Sequence, residues 1–180
     1  MSRRIVVLGT NHALQGAEKC PAEMKIEDPS YGKLLKILVE EFAVDYIFEE
    51  VGERGPTTAS RLAHDKSLGY CDVDLSKRQR IQCGIEPPFD NESYVILDAT
   101  RKKLKTEIGR EEVWIGRIKK QSFKSGLMIC GSVHTLSVAT RLESEGFDQD
   151  GVIIYEPRIV LAKGWLKQLV GPGSWSISSQ

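Results

Sequence analysis

Residues 4–12 read RIVVLGTNH, and residues 126–134 read GLMICGSVH. Each stretch is an apolar run that ends in a glycine, a small hydroxyl residue, one further residue and a histidine. A short, continuous apolar run is typical of a strand that is covered on both faces of a parallel sheet. The repeated phrase therefore predicts two strands of one sheet, followed by turns that end at His12 and His134.

The remaining chain alternates between apolar runs and helical periodicity. Further strands are predicted in residues 44–51, 69–75, 80–86 and 151–157. Helices are predicted from a cap at Asp28 or Ser30 to about Ala43, over residues 90–123 as two helices or one that is kinked at Gly109, and over residues 135–146. Such alternation predicts an α/β fold with a mixed, largely parallel sheet flanked by helices and built from two related halves.

We expect one domain over residues 1–163 and a C-terminal tail over residues 164–180. The tail carries more apolar surface than a short terminal segment needs, in Trp165, Leu166, Leu169, Val170 and Trp175. It is therefore predicted to pack on the domain or on a second subunit, as in a homodimer.

Composition limits the partners that the protein can have. Lysine plus arginine and aspartate plus glutamate both number 25, so the formal net charge is zero and no overall field attracts nucleic acid or an anionic membrane. No stretch approaches the roughly 20 apolar residues of a membrane span, and the first apolar run is too short for a secretory signal. The four cysteines show no CxxC spacing. These features predict a cytoplasmic protein with neither nucleic acid nor a membrane as its partner, which leaves a peptide or small-molecule substrate as the expected partner of a functional site.

The two repeated histidines are the strongest indication of a functional site. In open α/β sheets, sites lie outside the carboxyl ends of the strands, and both His12 and His134 follow such an end. If the two phrases face each other, the imidazoles converge on one pocket. Together with a carboxylate they would form a mononuclear site for zinc, manganese, cobalt or iron.

Several acidic residues are candidates for the carboxylate. Glu49 and Glu50 follow an apolar strand, and because adjacent strand residues point to opposite faces, only one of them should enter the pocket. Asp72 and Asp74 share a face of another predicted strand, and Glu156 ends a third. For Glu49 or Glu50, a helix cap or a salt bridge is the alternative role.

The motifs of this chain, and the order in which they occur, resemble those of the TraB/PrgY/GumN group. That group is related to the TIKI metalloproteases and more distantly to the erythromycin-esterase-like and ChaN-like haem-binding proteins. The matching pieces are GTNH at 9–12, FEEVGER at 48–54, CDVDLSKRQR at 71–80, REEVWIGRI at 110–118 and CGSVHTLSVATRLESEGF at 130–147.

The resemblance implies functional roles for some of these residues. His12, His134 and Glu49 or Glu50 would be the metal and catalytic set, and Arg110 would orient an anionic group. The acidic pair replaces a single glutamate that an apolar residue follows in the family pattern, so the choice between the two glutamates stays open. The Asp motif lacks the arginine that directly follows it in the family, so the role of Asp72 or Asp74 stays open as well.

The leading expectation is a metal-dependent hydrolase of an amide or ester bond, in which one divalent ion activates water. One alternative is a binding or signalling protein that holds a peptide, haem or metal in the same pocket without turnover. Another is a metal-free hydrolase in which His12 acts as general base beside Glu50.

Overall fold

The computed structural model describes residues 3–16, 28–52, 55–76, 78–79, 98–156 and 159–162. Within these ranges, six strands form one sheet: β1 Arg4–Thr10, β2 Tyr46–Glu49, β3 Gly69–Asp72, β4 Ser125–Gly131, β5 Asp148–Glu156 and β6 Ile159–Ala162. The α-helices of eight residues or more in the same ranges are α1 Pro29–Glu41, α2 Thr58–Asp65, α3 Asp98–Lys119 and α4 Thr135–Ser144. Short 3-10 turns follow β1 at His12–Gln15 and β4 at Ser132–His134.

The strand order confirms the predicted α/β fold with a mixed, largely parallel sheet. The order is β3-β2-β4-β1-β5-β6, with β1 to β5 parallel to one another and β6 antiparallel to β5. The two repeated phrases lie side by side, because β1 pairs with β4 in a register that places Gly9 beside Cys130. The proposed relation between two halves of the chain stays a prediction.

The sheet is covered by helices on both faces, which explains why its central strands are continuously apolar. Alternate residues of β1 face opposite layers. Val6 and Leu8 pack in the layer that contains buried residues of α1 and α2. Ile5 and Val7 pack in the layer that contains Trp114 of α3 and residues of α4.

Local sequence signals explain where most helices begin and end. Asp28 caps α1 by accepting a hydrogen bond from the Ser30 N–H, as one of the two predicted caps, and the helix ends at Glu41. Gly146 has φ +81°, a left-handed conformation that suits glycine, and it follows α4 at the predicted stop.

Some elements differ from the sequence predictions. Helix α3 continues through Gly109 as one element, so of the two predicted alternatives the one with two separate helices is wrong; a long helix tolerates a single glycine. Helix α2 was not predicted; it has only eight residues and begins with a capping box at Thr57. Strand β6 was not predicted either.

The predicted strand at 80–86 and the tail at 164–180 lie outside the described residues, so the domain boundary and the homodimer stay predictions. Among the helices that the structure describes, none combines the length and the apolar character needed to cross a lipid bilayer.

Candidate functional site

The two histidines lie where the chain connections of the sheet diverge. Strands β1 and β4 are neighbours, but β4 leads through a short turn into α4 on one face, whereas the first α-helix that the structure describes after β1 is α1 on the other face. The carboxyl ends of two such strands form a crevice at the edge of the sheet. His12 and His134 follow β1 and β4 at this crevice.

Both imidazoles approach one carboxylate oxygen, Oε1 of Glu50. His12 Nε2 lies 3.6 Å from this oxygen and His134 Nε2 lies 4.0 Å from it. Glu50 directly follows β2, and only 1% of its side chain is exposed. The structure therefore brings together the two repeated histidines and one glutamate of the acidic pair.

Backbone contacts hold Glu50 in this position. Its N–H donates to the Ile129 carbonyl at 2.9 Å, which extends the pairing of β2 with β4. Its Oε2 atom accepts the Gly131 N–H at 2.8 Å. Gly131 also leaves room for the first histidine, because a Cβ there would lie 3.0 Å from His12 Nε2.

The glycine of the first phrase has a comparable steric role. A Cβ at Gly9 would lie 1.8 Å from Thr135 Oγ1, a distance that no real structure accommodates without movement. Thr135 is the first residue of α4 and directly follows His134. The missing side chain at Gly9 therefore lets the start of α4, together with the preceding turn, pack against β1.

The hydrogen bonds of Gln15 fix the protonation pattern of neutral His12. The Gln15 amide nitrogen donates to the Glu50 carbonyl at 3.2 Å, so its oxygen faces His12 Nδ1 at 3.0 Å. Because an amide oxygen only accepts, the proton of the neutral imidazole lies on Nδ1. Nε2 then presents its lone pair toward Glu50.

A carboxylate performs the same task for His134. Glu111 Oε1 lies 2.8 Å from His134 Nδ1, and the histidine side chain is only 6% exposed. Burial acts to lower the pKa of His134, but the hydrogen bond to Glu111 and the charge of Glu50 outweigh it, so this pKa is raised. Burial likewise acts to raise the pKa of Glu111, but hydrogen bonds from His134 and Ser137 lower it overall.

Arg110 lies between two carboxylates. Its Nη2 atom is 2.7 Å from Glu50 Oε1 and 3.0 Å from Asp74 Oδ2, and its side chain is 12% exposed. Burial acts to lower the pKa of the guanidinium, but Asp74 and Glu50 outweigh it and raise this pKa. Trp114 completes the cluster: its indole N–H donates to Asp74 Oδ1 at 3.2 Å, and its ring meets the His134 ring edge-on.

Glu49 lies on the opposite face of the sheet from the histidines. Its Oε2 atom accepts hydrogen bonds from Thr57 Oγ1 at 2.5 Å and from the Tyr70 hydroxyl at 2.9 Å. Tyr70 packs against the layer that contains α1 and α2, whereas Phe48, the residue before Glu49, belongs to the other layer. From the sequence, Glu49 was a candidate metal ligand beside the two histidines. The structure instead places Glu49 away from the imidazoles.

Asp72, the last residue of β3, stabilises the neighbouring loops. Its Oδ1 atom accepts the backbone N–H groups of Val51, Gly52 and Asp74 at 3.0–3.2 Å. Burial raises the pKa of Asp72 in spite of these hydrogen bonds. This arrangement ties the loop after β2 to the loop after β3. Glu156 is the last residue of β5, and its predicted role stays a prediction.

The two histidines and Glu50 fit the donor set of a catalytic zinc-type site, which has three protein ligands of His and Glu type. In a tetrahedral site with bonds near 2.1 Å, ligand atoms lie about 3.4 Å apart. The two measured separations from Glu50 Oε1 exceed this by less than about 1 Å. As they stand, the described side chains include no group of three or more His, Cys, Asp or Glu at metal-holding positions.

Sequence reasoning missed the partners of the histidines. Gln15 follows His12 by three residues, a spacing that allows contact within one short turn, and this was the available signal. Glu111 is 23 residues before His134, and only the packing of α3 against α4 brings them together. The pairing of Asp74 with Arg110 likewise depends on tertiary structure.

We compared the chain with known protein-family models, with curated proteins and with solved structures, and none of the three comparisons returned a match.

Proposed function

We propose that the protein is a metal-dependent hydrolase of an amide or ester bond, with its centre at His12, His134 and Glu50. The observation that carries the proposal is the convergence of two imidazole Nε2 atoms on one buried carboxylate oxygen, at 3.6 and 4.0 Å. Each imidazole has its Nδ1 atom engaged by an acceptor. This pattern is typical of metal-ligating histidines, which donate their other N–H to a carboxylate or carbonyl oxygen.

A divalent ion would be held by the Nε2 atoms of His12 and His134 and by Glu50 Oε1. When bound, such an ion lowers the pKa of a water molecule toward roughly 7 and polarises a carbonyl group. A cation suits the position electrostatically, because two lone pairs and a carboxylate face one another there. Zinc, manganese, cobalt and iron remain the candidates.

The surrounding residues would orient these ligands. Arg110 donates hydrogen bonds to both Glu50 and Asp74. Its charge would therefore orient the Glu50 carboxylate instead of binding an anionic group of the substrate. His12 has a side chain that is 36% exposed, whereas His134 and Glu50 are buried. A peptide or small-molecule substrate would therefore approach from the side of His12.

A metal-free hydrolase is the second candidate, and the contact of Arg110 with Glu50 favours it. The guanidinium already supplies a positive partner for Glu50 Oε1 at 2.7 Å. In this version His12 Nε2 would take a proton from water while the hydroxyl attacks the substrate carbonyl, and Glu50 would stabilise the resulting imidazolium. The imidazolium would then return this proton to the amine or alcohol that leaves as the C–N or C–O bond breaks.

The first test is elemental analysis of protein purified without chelator, together with His12→Ala and His134→Ala. We expect about one equivalent of metal in the native protein and loss of metal and of ester or peptide hydrolysis in both variants. His64→Ala is the matched control, because His64 is 91% exposed and its ion-pair partner in the structure is its own neighbour, Asp65.

Unchanged metal content in both variants would refute the metal site. Hydrolysis that survives exhaustive chelation but is lost in His12→Ala would instead support the metal-free candidate. Full metal loading without hydrolysis of any ester or peptide tested would favour a binding protein.

A further inference from the structure

The Glu111 side chain is not part of the group formed by His12, His134 and Glu50, but it contacts one member of that group, His134. It projects from α3 and is 5% exposed. Its Oε1 atom faces His134 Nδ1 at 2.8 Å, and its Oε2 atom accepts hydrogen bonds from the Ser137 hydroxyl and from Arg141 Nε at 3.1 Å. Both carboxylate oxygens thus have fixed partners on α4 or on the turn before it.

These contacts determine which nitrogen of neutral His134 carries the proton. An ionised carboxylate only accepts hydrogen bonds, so the proton must lie on Nδ1, and Nε2 is left with its lone pair. Arg141 and Ser137 stabilise the charged form of Glu111. The Nε2 lone pair is directed toward the space near Glu50 Oε1, 4.0 Å away.

The two histidines differ in the kind of partner that holds them. His12 is held by the neutral amide of Gln15, within one 3-10 turn, and its side chain is partly exposed. His134 is held by a charged carboxylate from a different helix, and it is buried. A carboxylate partner raises the basicity of a histidine ligand more than an amide does. His134 is therefore the more firmly held of the two.

We propose that Glu111 is a positioning residue that holds His134 with its proton on Nδ1, so that Nε2 is presented to the space shared with His12 and Glu50. The expected effect on metal affinity rests on the proposed function, whereas the effect on the tautomer does not. Glu111 does not itself touch the reacting atoms, because its two oxygens are already occupied by His134, Ser137 and Arg141.

The test has two readouts: the tautomer of His134 in metal-free protein, and the affinity for zinc measured by titration. Nitrogen-15 NMR of the histidine rings, at a pH where they are neutral, should show His134 with its proton on Nδ1 in the native protein. Glu111→Ala should shift His134 to the Nε2–H tautomer and weaken zinc binding by about 10–100-fold. Glu111→Gln keeps only one accepting oxygen, for which His134 Nδ1 competes with Ser137 and Arg141, and it should weaken zinc binding by less than Glu111→Ala.

Glu112→Ala is the matched control, because Glu112 is the next residue, is 65% exposed and lies at a long 3.7 Å from Arg141. It should change neither readout. An unchanged His12 tautomer shows that a variant is folded; if Glu111→Ala does not fold, Glu111→Gln decides through its zinc affinity.

Retention of the Nδ1–H tautomer and of native zinc affinity in the folded Glu111→Ala variant would overturn the proposal. If Glu111→Gln is the only variant that folds, native zinc affinity in that variant would also overturn the proposal. If no protein, native included, binds zinc but the tautomer of Glu111→Ala still shifts, the positioning role stands and the metal-dependent function fails.

Discussion

At the scale of single residues, Glu49 and Glu50 show how two identical neighbours acquire different chemistry. Glu50 lies on the face of α3 and α4, where Arg110, the Gly131 N–H and the two imidazoles surround it. Glu49 lies on the other face, where it accepts two hydroxyl groups. The alternation of a strand therefore separates a candidate ligand from a structural carboxylate.

Glutamine substitutions at these two positions should give opposite results. Glu50→Gln removes a charged ligand and should weaken zinc binding by more than about 100-fold, since loss of an outer partner alone costs about 10–100-fold. Glu49→Gln should leave zinc affinity unchanged but lower the free energy of unfolding by about 1–3 kcal/mol, because it perturbs buried hydrogen bonds to Thr57 and Tyr70. Zinc calorimetry and urea unfolding would measure both effects.

The reverse pattern, with zinc binding lost in Glu49→Gln and kept in Glu50→Gln, would contradict the assignment of the site to the α3 and α4 face. Retained cooperative unfolding of Glu50→Gln is the control, because Arg110 keeps its hydrogen bonds to Asp74 in that variant.

The sequence could predict only part of this residue-level picture. The repeated phrase was enough to pair His12 with His134, since equivalent positions after neighbouring parallel strands lie at the same edge of a sheet. Alternation required that only one of Glu49 and Glu50 enter the site. It could not decide which, because that depends on which helices cover which face. Glu111 depends on the same packing and could not be predicted from local spacing.

At the scale of elements, a glycine inside a helix and a glycine after a helix end contribute differently to stability. Gly116 lies within α3, and a Cβ added there would meet no atom within 4 Å. Gly146 also has open space around it, but its φ of +81° is a conformation that other residues adopt with strain.

Alanine substitutions should therefore change stability in opposite directions. Gly116→Ala should raise the free energy of unfolding by about 0.5–1 kcal/mol, because alanine loses less backbone entropy in a helix. Gly146→Ala should lower it by about 1–2 kcal/mol, because a Cβ is unfavourable in the left-handed region after α4. Urea unfolding of the two variants beside the native protein would measure the changes, and a loss of stability in Gly116→Ala would contradict the expectation.

Element-level prediction succeeded where local signals were strong. The run at Arg4–Thr10 forms a strand with those bounds, and Asp28 and Gly146 mark a helix start and a helix stop. Helix α2 was missed because eight residues give little periodicity, and its main signal is the capping box at Thr57. At Gly109 the sequence left two helices or one kinked helix open, and α3 is one helix there, since one glycine costs only about 1 kcal/mol.

At the scale of the whole molecule, the sheet topology gathers distant parts of the chain. Strands β2, β4 and β1 are consecutive in the sheet although β3 and α3 lie between β2 and β4 in the sequence. Glu50, His134 and His12 follow these three strands in turn. An ion held by all three would therefore link segments that separate completely when the protein unfolds.

This arrangement predicts that zinc stabilises the native protein against heat. A ligand that binds only the folded state at 100 times its dissociation constant adds about 2.7 kcal/mol, which corresponds to a rise in Tm of about 5–10 °C for a domain of this size. His12→Ala and His134→Ala should lose this rise, whereas His64→Ala should keep it and chelator should reverse it. Calorimetry with and without zinc measures the shift. An equal rise in both site variants would mean that zinc binds elsewhere on the folded chain, since neither variant retains the three ligands that join β1, β2 and β4.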